Sequence, residues 1–334
     1  MDSKRFDIVA IGNAIIDIVQ RCDEAFIAST CLPKGHMTLA PDAASIELLL
    51  KRLPAGYEVA GGSAANTAVG IASFGGKSVF IGKVADDRYG RALRHDLRGV
   101  GVSFDTTPAL AVGKVTARSL ILTGPDGQRT MYTYLGCSPE LDASALDPAI
   151  IGASRIVYLE GYLFDRDTAK AAFRTACSVA SRSGTAIALS LSDSLCVERH
   201  REDFLRLARS GVSILIANES EIAALYGTPL FEYAVRQASI DVPIAIITRG
   251  PRGSVIASKG NIVEVPAEPV KRPKDVTGAG DMYAAGVLYG IARGMSHRSA
   301  GRLGSFAAAE IISTLGARPE VRLGHLAHLR GLLS

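Results

Sequence analysis

Near its C-terminal third the chain reads Asp275-Val276-Thr277-Gly278-Ala279-Gly280-Asp281 and runs straight into the apolar stretch Met282–Leu288. Gly278, Ala279 and Gly280 leave a backbone that a ligand can approach closely, and the apolar run behind them reads as a buried helix. A helix starting there aims its unpaired N–H groups and the positive end of its dipole at the glycines, which suits an anion. Asp281 repels a phosphate at such a spot unless the site needs a base. The plainer reading is that Asp281 complements the helix dipole and the glycines only turn the chain.

Other residues carry similar double readings. Gly61-Gly62-Ser63-Ala64-Ala65-Asn66 opens a helix of small residues that can bring the glycine pair against a ligand. Asn66 offers a donor and an acceptor to a hydroxyl, or is a buried amide satisfied by backbone. Asp17, set in Ile15-Ile16-Asp17-Ile18-Val19, faces solvent or accepts from substrate hydroxyls. Asn218 and Glu221 have capping-box spacing. They also sit at the carboxyl end of a buried strand, where open α/β sheets bind ligands, and their oxygens could hold a hydrated Mg²⁺. Thr248-Arg249-Gly250, with Gly253 beyond it, repeats that strand-end pattern. Arg129 could swing over a bound phosphate, or be a solvated charge on an edge strand.

The elements behind these residues follow an α/β rhythm. Buried strands read at 6–11, 78–84, 156–160, 186–191, 214–217 and 244–247, with a hairpin at 254–257 and 262–265. Helices read at 87–100, 168–183, 282–293 and about 299–313. Residues 103–137 break the rhythm: 117–123 and 130–134 alternate around Gly124-Pro125-Asp126-Gly127, a hairpin signal that marks a small β-appendage. The first strand ends at Gly12-Asn13 without a Gly-x-Gly-x-x-Gly fingerprint, which disfavours a nicotinamide dehydrogenase.

Composition narrows the class further. The 334 residues are 48% apolar and 21% charged, as in an ordinary globular chain, and the net charge of +4 is scattered. No nucleic-acid footprint emerges. No apolar run reaches the roughly 18 residues of a membrane span, and no signal-peptide h-region is read. The 5 cysteines are odd in number and form no Cys-x-x-Cys pair, so reduced thiols in a cytoplasmic protein are the expectation. His325 and His328 do not make a metal constellation.

Taken together, Gly61–Asn66 and Asp275–Asp281 are specific, and with them the chain resembles the ribokinase-like (PfkB-type) family of sugar and nucleoside kinases nearly end to end. The resemblance implies an α/β, three-layer sandwich with a mostly parallel central sheet and a small β-sheet lid. Residues 1–334 would form one catalytic domain, the lid coming from about 14–45 and 103–137. It implies Asp281 as catalytic base and Gly278, Ala279 and Gly280 as anion hole, with Arg129 adding positive charge. Asn13, Asp17, Gly61, Gly62 and Asn66 match positions that bind substrate hydroxyls. Asn218 and Glu221 match the Asn-x-x-Glu motif that organises Mg²⁺ and phosphate; Thr248, Gly250 and Gly253 follow the nucleotide, and Ser305 stands where many members have an Asn near adenine.

Two details point to the adenosine kinase branch. Leu189–Ser192 replaces the Asp-x-Asn of many sugar kinases, and Asn218-Glu219-Ser220-Glu221 is followed by Ala223. Tyr162, Leu163 and Phe164 lie where that branch keeps a platform for the base, and Tyr162 is equally readable as core. The implied activity is ATP- and Mg²⁺-dependent phosphorylation of a nucleoside 5′-hydroxyl, adenosine to AMP first of all. A kinase of ribose, fructose, inosine or guanosine, or an idle ligand-binding protein on the same scaffold, are the alternatives. A monovalent-cation requirement, the donor nucleotide and a monomeric or homodimeric state stay open.

Overall fold

A computed structural model describes residues 4–54, 56–110, 113–126 and 128–333. Strand Phe6–Ile11 is apolar on both sides, and its alternate residues feed two cores: Ile8 and Ala10 enter one, Val9 and Ile11 the other. A strand of that kind needs helices on both faces of its sheet, which is the setting of parallel strands. Among the described residues nine strands make this sheet. Their order is Asn261–Val265, Ser254–Ser258, Ile244–Thr248, Ile214–Asn218, Ala186–Ser190, Ser154–Glu160, Phe6–Ile11, Ser78–Ile81 and Val102–Ser103. Neighbours run parallel, except that the hairpin at 254–265 joins antiparallel. Helices Ser63–Ser73, Ala279–Ala292 and His297–Ile312 cover one face. Helices Asp167–Arg182, Arg201–Arg209 and Phe231–Asp241 cover the other.

A second, five-stranded sheet stands off the first, in the order Met37–Leu39, Arg129–Tyr134, Ala117–Thr123, Ile15–Arg21 and Tyr57–Gly61. Its boundaries differ from those read in the sequence. Tyr57–Gly61, beyond the expected 14–45 excursion, pairs with Ile15–Arg21, whereas Val102–Ser103 belongs to the edge of the large sheet. Tyr57 and Glu58 are exposed, so this strand lacks the alternation that would announce it. The turn between 123 and 129 is closed by Gly124 N–H donating to Gln128 O at 2.9 Å; Gly127, part of the expected hairpin signal, lies outside the described residues. Among the described residues no helix is long and apolar enough to cross a membrane.

Two close helix contacts set the geometry that matters. A Cβ on Gly70 would overlap Ala285, so helices Ser63–Ser73 and Ala279–Ala292 approach nearly backbone to backbone. On the other side of the latter helix, a Cβ on Gly286 would meet Leu303 O at 2.5 Å, which draws in His297–Ile312.

Candidate active site

Helix Ala279–Ala292 opens at 279, not 282. Gly278 is its N-cap at φ 75°, a left-handed conformation that favours glycine. Asp281 therefore lies inside the first turn. The tight contact through Gly70 carries the start of helix Ser63–Ser73 to the same place. Ser63 Oγ donates to Asp281 Oδ1 at 2.6 Å, and Asn66 Nδ2 donates to Oδ2 at 3.0 Å. Burial raises the Asp281 carboxyl above its ordinary value, against these two bonds.

Asp17, on the small sheet, lies within electrostatic influence of this carboxylate. Along Ile15–Arg21 the buried Ile16 and Ile18 alternate with the less buried Asp17 and Val19, so Asp17 faces away from the small sheet's own core. Burial pushes its carboxyl up to about 6, opposed by the charges of Arg129 and Arg318 and reinforced by Asp281. Gly61 must lack a side chain here, since a Cβ would overlap the Asp17 carboxylate. Gly62, at φ 98°, would likewise strike Asn13 O.

Segment 275–281 runs between two cavities. One, of about 840 Å³, is lined by Val19, Tyr57, Arg129 and Asp275; Asp17, Asn66 and Asp281 are not among its lining residues. The other, of about 660 Å³, is lined by Thr248, Gly250, Gly253, Gly280, Tyr283 and Ser305. Both are of ordinary size for a small-molecule site. A Cβ on Gly280 would meet no protein atom within 4 Å, so that residue borders open space. The Ala279 N–H, in contrast, donates to Val276 O at 3.2 Å and is not free for an anion. No backbone bond engages the N–H groups of Gly278, Gly280 and Asp281 among the described residues.

Several expected ligand contacts are engaged within the protein. Asn13 Nδ2 donates to Glu160 Oε1 at 2.9 Å and its Oδ1 accepts from Ser138 Oγ at 2.9 Å, so Asn13 braces the site more than it lines it. Ser305 Oγ donates to Pro266 O at 2.9 Å and accepts from Glu268 N–H at 3.0 Å, pinning the cavity wall. Arg129 pairs with Asp275 at 3.1 Å. Burial pushes the Asp275 carboxyl up, yet bonds from Thr277 and Gly316 and the charge of Arg129 hold it below the ordinary value. Of the expected platform Tyr162-Leu163-Phe164, Phe164 stacks on Phe204 and Leu163 is buried, while Tyr162 is 41% exposed. Tyr162 has its hydroxyl pushed up by burial and then by Asp193, Asp281, Glu160 and Glu221.

Asn218 and Glu221 close a full capping box on helix Glu219–Tyr226. Asn218 N–H and Nδ2 donate to the two Glu221 oxygens at 2.9 and 2.7 Å. Burial raises Glu221 to about 7, opposed by the Asn218 bond and augmented by Asp193. Both Glu221 oxygens accept from Asn218, so this pair could meet a hard cation only through the cation's own waters.

Sequence reasoning passed over Glu160 and Arg318. Glu160, 1% exposed, accepts from Ala64 N–H at 2.8 Å as well as from Asn13, and so ties the first strand to helix Ser63–Ser73. Burial raises it to about 7. An acid closing an apolar parallel strand was the available signal. Arg318, from the segment after the last long helix, donates to Asn66 Oδ1 at 3.3 Å and to Asp96 at 2.5 Å. Nothing in the local sequence marks it.

Comparison with known proteins places the chain in a family. The family model for pfkB family carbohydrate kinases matches residues 7–322. A solved adenosine kinase from Sinorhizobium meliloti superposes with a TM-score of 0.91 at 42% identity, covering 98% of this chain and 99% of that one. A fructokinase of Klebsiella pneumoniae is 27% identical over 70% of this chain and 76% of its own length. A 5-dehydro-2-deoxygluconokinase of Shouchella clausii is 24% identical over 93% and 91%. The chain belongs to the pfkB family of sugar and nucleoside kinases, phosphotransferases with an alcohol as acceptor.

Proposed function

We propose that this chain transfers the γ-phosphoryl group of ATP to the 5′-hydroxyl of a nucleoside, adenosine foremost. The observation that carries the reading is the position of Asp281. It lies in the first turn of a glycine-opened helix, within electrostatic reach of Asp17 on the acceptor side, and next to Gly280, which borders the other cavity. On this reading the acceptor lies beside Asp17, Asn66 and Asp281, and the cavity lined by Thr248, Gly250 and Gly253 takes the nucleotide. The amides of Gly280 and Asp281 meet the transferring phosphoryl group. Glu221 and Asn218 would hold the hydration shell of Mg²⁺, which would supply positive charge to the phosphates.

Phosphoryl transfer depends on in-line positioning and charge neutralisation more than on covalent help. Asp281 orients the attacking hydroxyl and accepts its proton late in a loose transition state, so its raised pKa aids it without being decisive. The small sheet acts as a lid that keeps water from the phosphoryl group. Adenosine is supported by the Leu189–Ser192 form, by the exposed Tyr162 ring, and by the 42% identity to the Sinorhizobium meliloti enzyme. A sugar acceptor is the second reading, favoured by the names of the fructokinase and gluconokinase relatives.

Initial rates with Mg²⁺–ATP on adenosine, inosine, guanosine, ribose and fructose test this. The highest kcat/KM is expected for adenosine; faster turnover of either sugar than of any nucleoside overturns the nucleoside assignment. Asp281→Asn is expected to lower turnover by at least about 10²-fold with acceptor affinity by calorimetry little changed. Parental turnover in that variant removes Asp281 as base.

A further inference from the structure

Asn66 is held at both ends by different partners. A guanidinium only donates, so the Asn66 atom facing Arg318 Nε at 3.3 Å is Oδ1, and the NH₂ end is turned to Asp281 Oδ2 at 3.0 Å. Arg318 has a side chain only 12% exposed and lies 252 positions from Asn66 in sequence. Its Nη1 is anchored by Asp96 Oδ2 on helix Arg88–Gly99. The same oxygen accepts from Ala60 N–H at 3.3 Å, just ahead of the Gly61-Gly62 pair. Arg318 Nη2 is buried without a hydrogen-bond partner among the described residues. An unmade bond of that kind is costly, so a filler arginine is a poor explanation. Its charge also acts on Asp17, whose carboxyl it holds down.

We propose that Arg318 is a positioning residue for phosphoryl transfer: by fixing Oδ1 of Asn66 it keeps the NH₂ end on Asp281 and sets the direction in which that carboxylate faces the acceptor. Without it the amide turns freely about its terminal torsion, which has a broad profile, and its oxygen can point at Asp281, where it repels. Ser63 alone then holds the carboxylate. The inference rests on Asp281 being the base.

The test is a double-mutant cycle on kcat, with Mg²⁺–ATP and adenosine as probes, or fructose if the panel puts it ahead. The variants are Arg318→Met, Arg318→Lys, Asn66→Ala and both doubles, beside Asp281→Asn. Arg318→Met is expected to lower kcat about tenfold or more, with KM for ATP within about twofold. Arg318→Lys, which keeps a donor for Oδ1, should recover part of that loss. In the Asn66→Ala background neither change should slow turnover further, because residues acting through one another are not additive. Parental kcat in Arg318→Met, or an equal loss in both backgrounds, overturns the proposal. If Arg318→Met does not fold, Arg318→Leu, which likewise lacks a donor, takes its place in both backgrounds and is judged by the same criterion. A dead Asp281→Asn with a parental Arg318→Met removes this inference alone, whereas an active Asp281→Asn removes the base assignment beneath it.

Discussion

Replacing Gly280 by alanine should move stability and activity in opposite directions. Gly280 is the second residue of helix Ala279–Ala292, and an added Cβ would meet nothing of the protein within 4 Å. Its backbone is not in the left-handed region. Alanine in place of glycine at such a position stabilises by roughly 0.5–1 kcal/mol. Unfolding entropy of about 2.1 cal/mol/K per residue amounts to roughly 0.7 kcal/mol/K over the chain, so the melting temperature should rise by about 1 °C. The same methyl enters the cavity at the helix end proposed to hold the phosphoryl group. A carbon keeps a phosphate oxygen at roughly 3.5 Å, whereas an N–H bond needs about 2.9 Å. Loss of one donor of this type costs about 10²–10³ in kcat, roughly 2.7–4 kcal/mol. Thermal melting and a coupled assay of ADP release measure the two effects. An unmoved melting point with parental kcat would refute the placement of phosphate at this helix end. A fall in melting temperature would refute the claim that the space is open.

Two further predictions concern buried carboxylates. Glu221→Gln should raise the Mg²⁺ concentration for half-maximal turnover by about 10–100-fold, the usual cost of removing a group that orients a metal's shell; an unchanged Mg²⁺ titration would detach Glu221 from the metal. In the ligand-free protein Glu160 titrates near 7 instead of 4.5, Glu221 likewise, and Asp17 near 6 instead of 3.8. All three shifts are upward, so between about pH 4.5 and 7 the folded chain binds more protons than the unfolded one. Stability then falls as pH rises through that window. The urea midpoint should be lower at pH 8 than at pH 5, with a shallower dependence in Glu160→Gln. A midpoint that is flat or rising from pH 5 to 8 contradicts the shifts.

Much of the architecture is written in local patterns. The strand of apolar residues from 6 to 11 has two faces to bury, which demands a covered parallel sheet, and Asn218 with Glu221 spells a capping box that the structure closes. Asp275–Asp281 announces a glycine-opened helix, because caps and left-handed residues depend on nearest neighbours alone, but the start at 279 that puts Asp281 inside the first turn was decided by the structure. The strand Tyr57–Gly61 was not legible, since two of its five residues are exposed and its place is set by Asp17 pressing on a residue without a side chain. Nor was the engagement of Asn13 by Glu160 and Ser138, or of Arg129 by Asp275, because each bond joins residues more than 120 positions apart. The residue types of the site could thus be named from sequence, while their partners were decided by packing. Helices 63–73 and 279–292 touch only because glycine and alanine let their backbones approach, and that contact places Ser63, Asn66 and, behind them, Arg318 on one carboxylate.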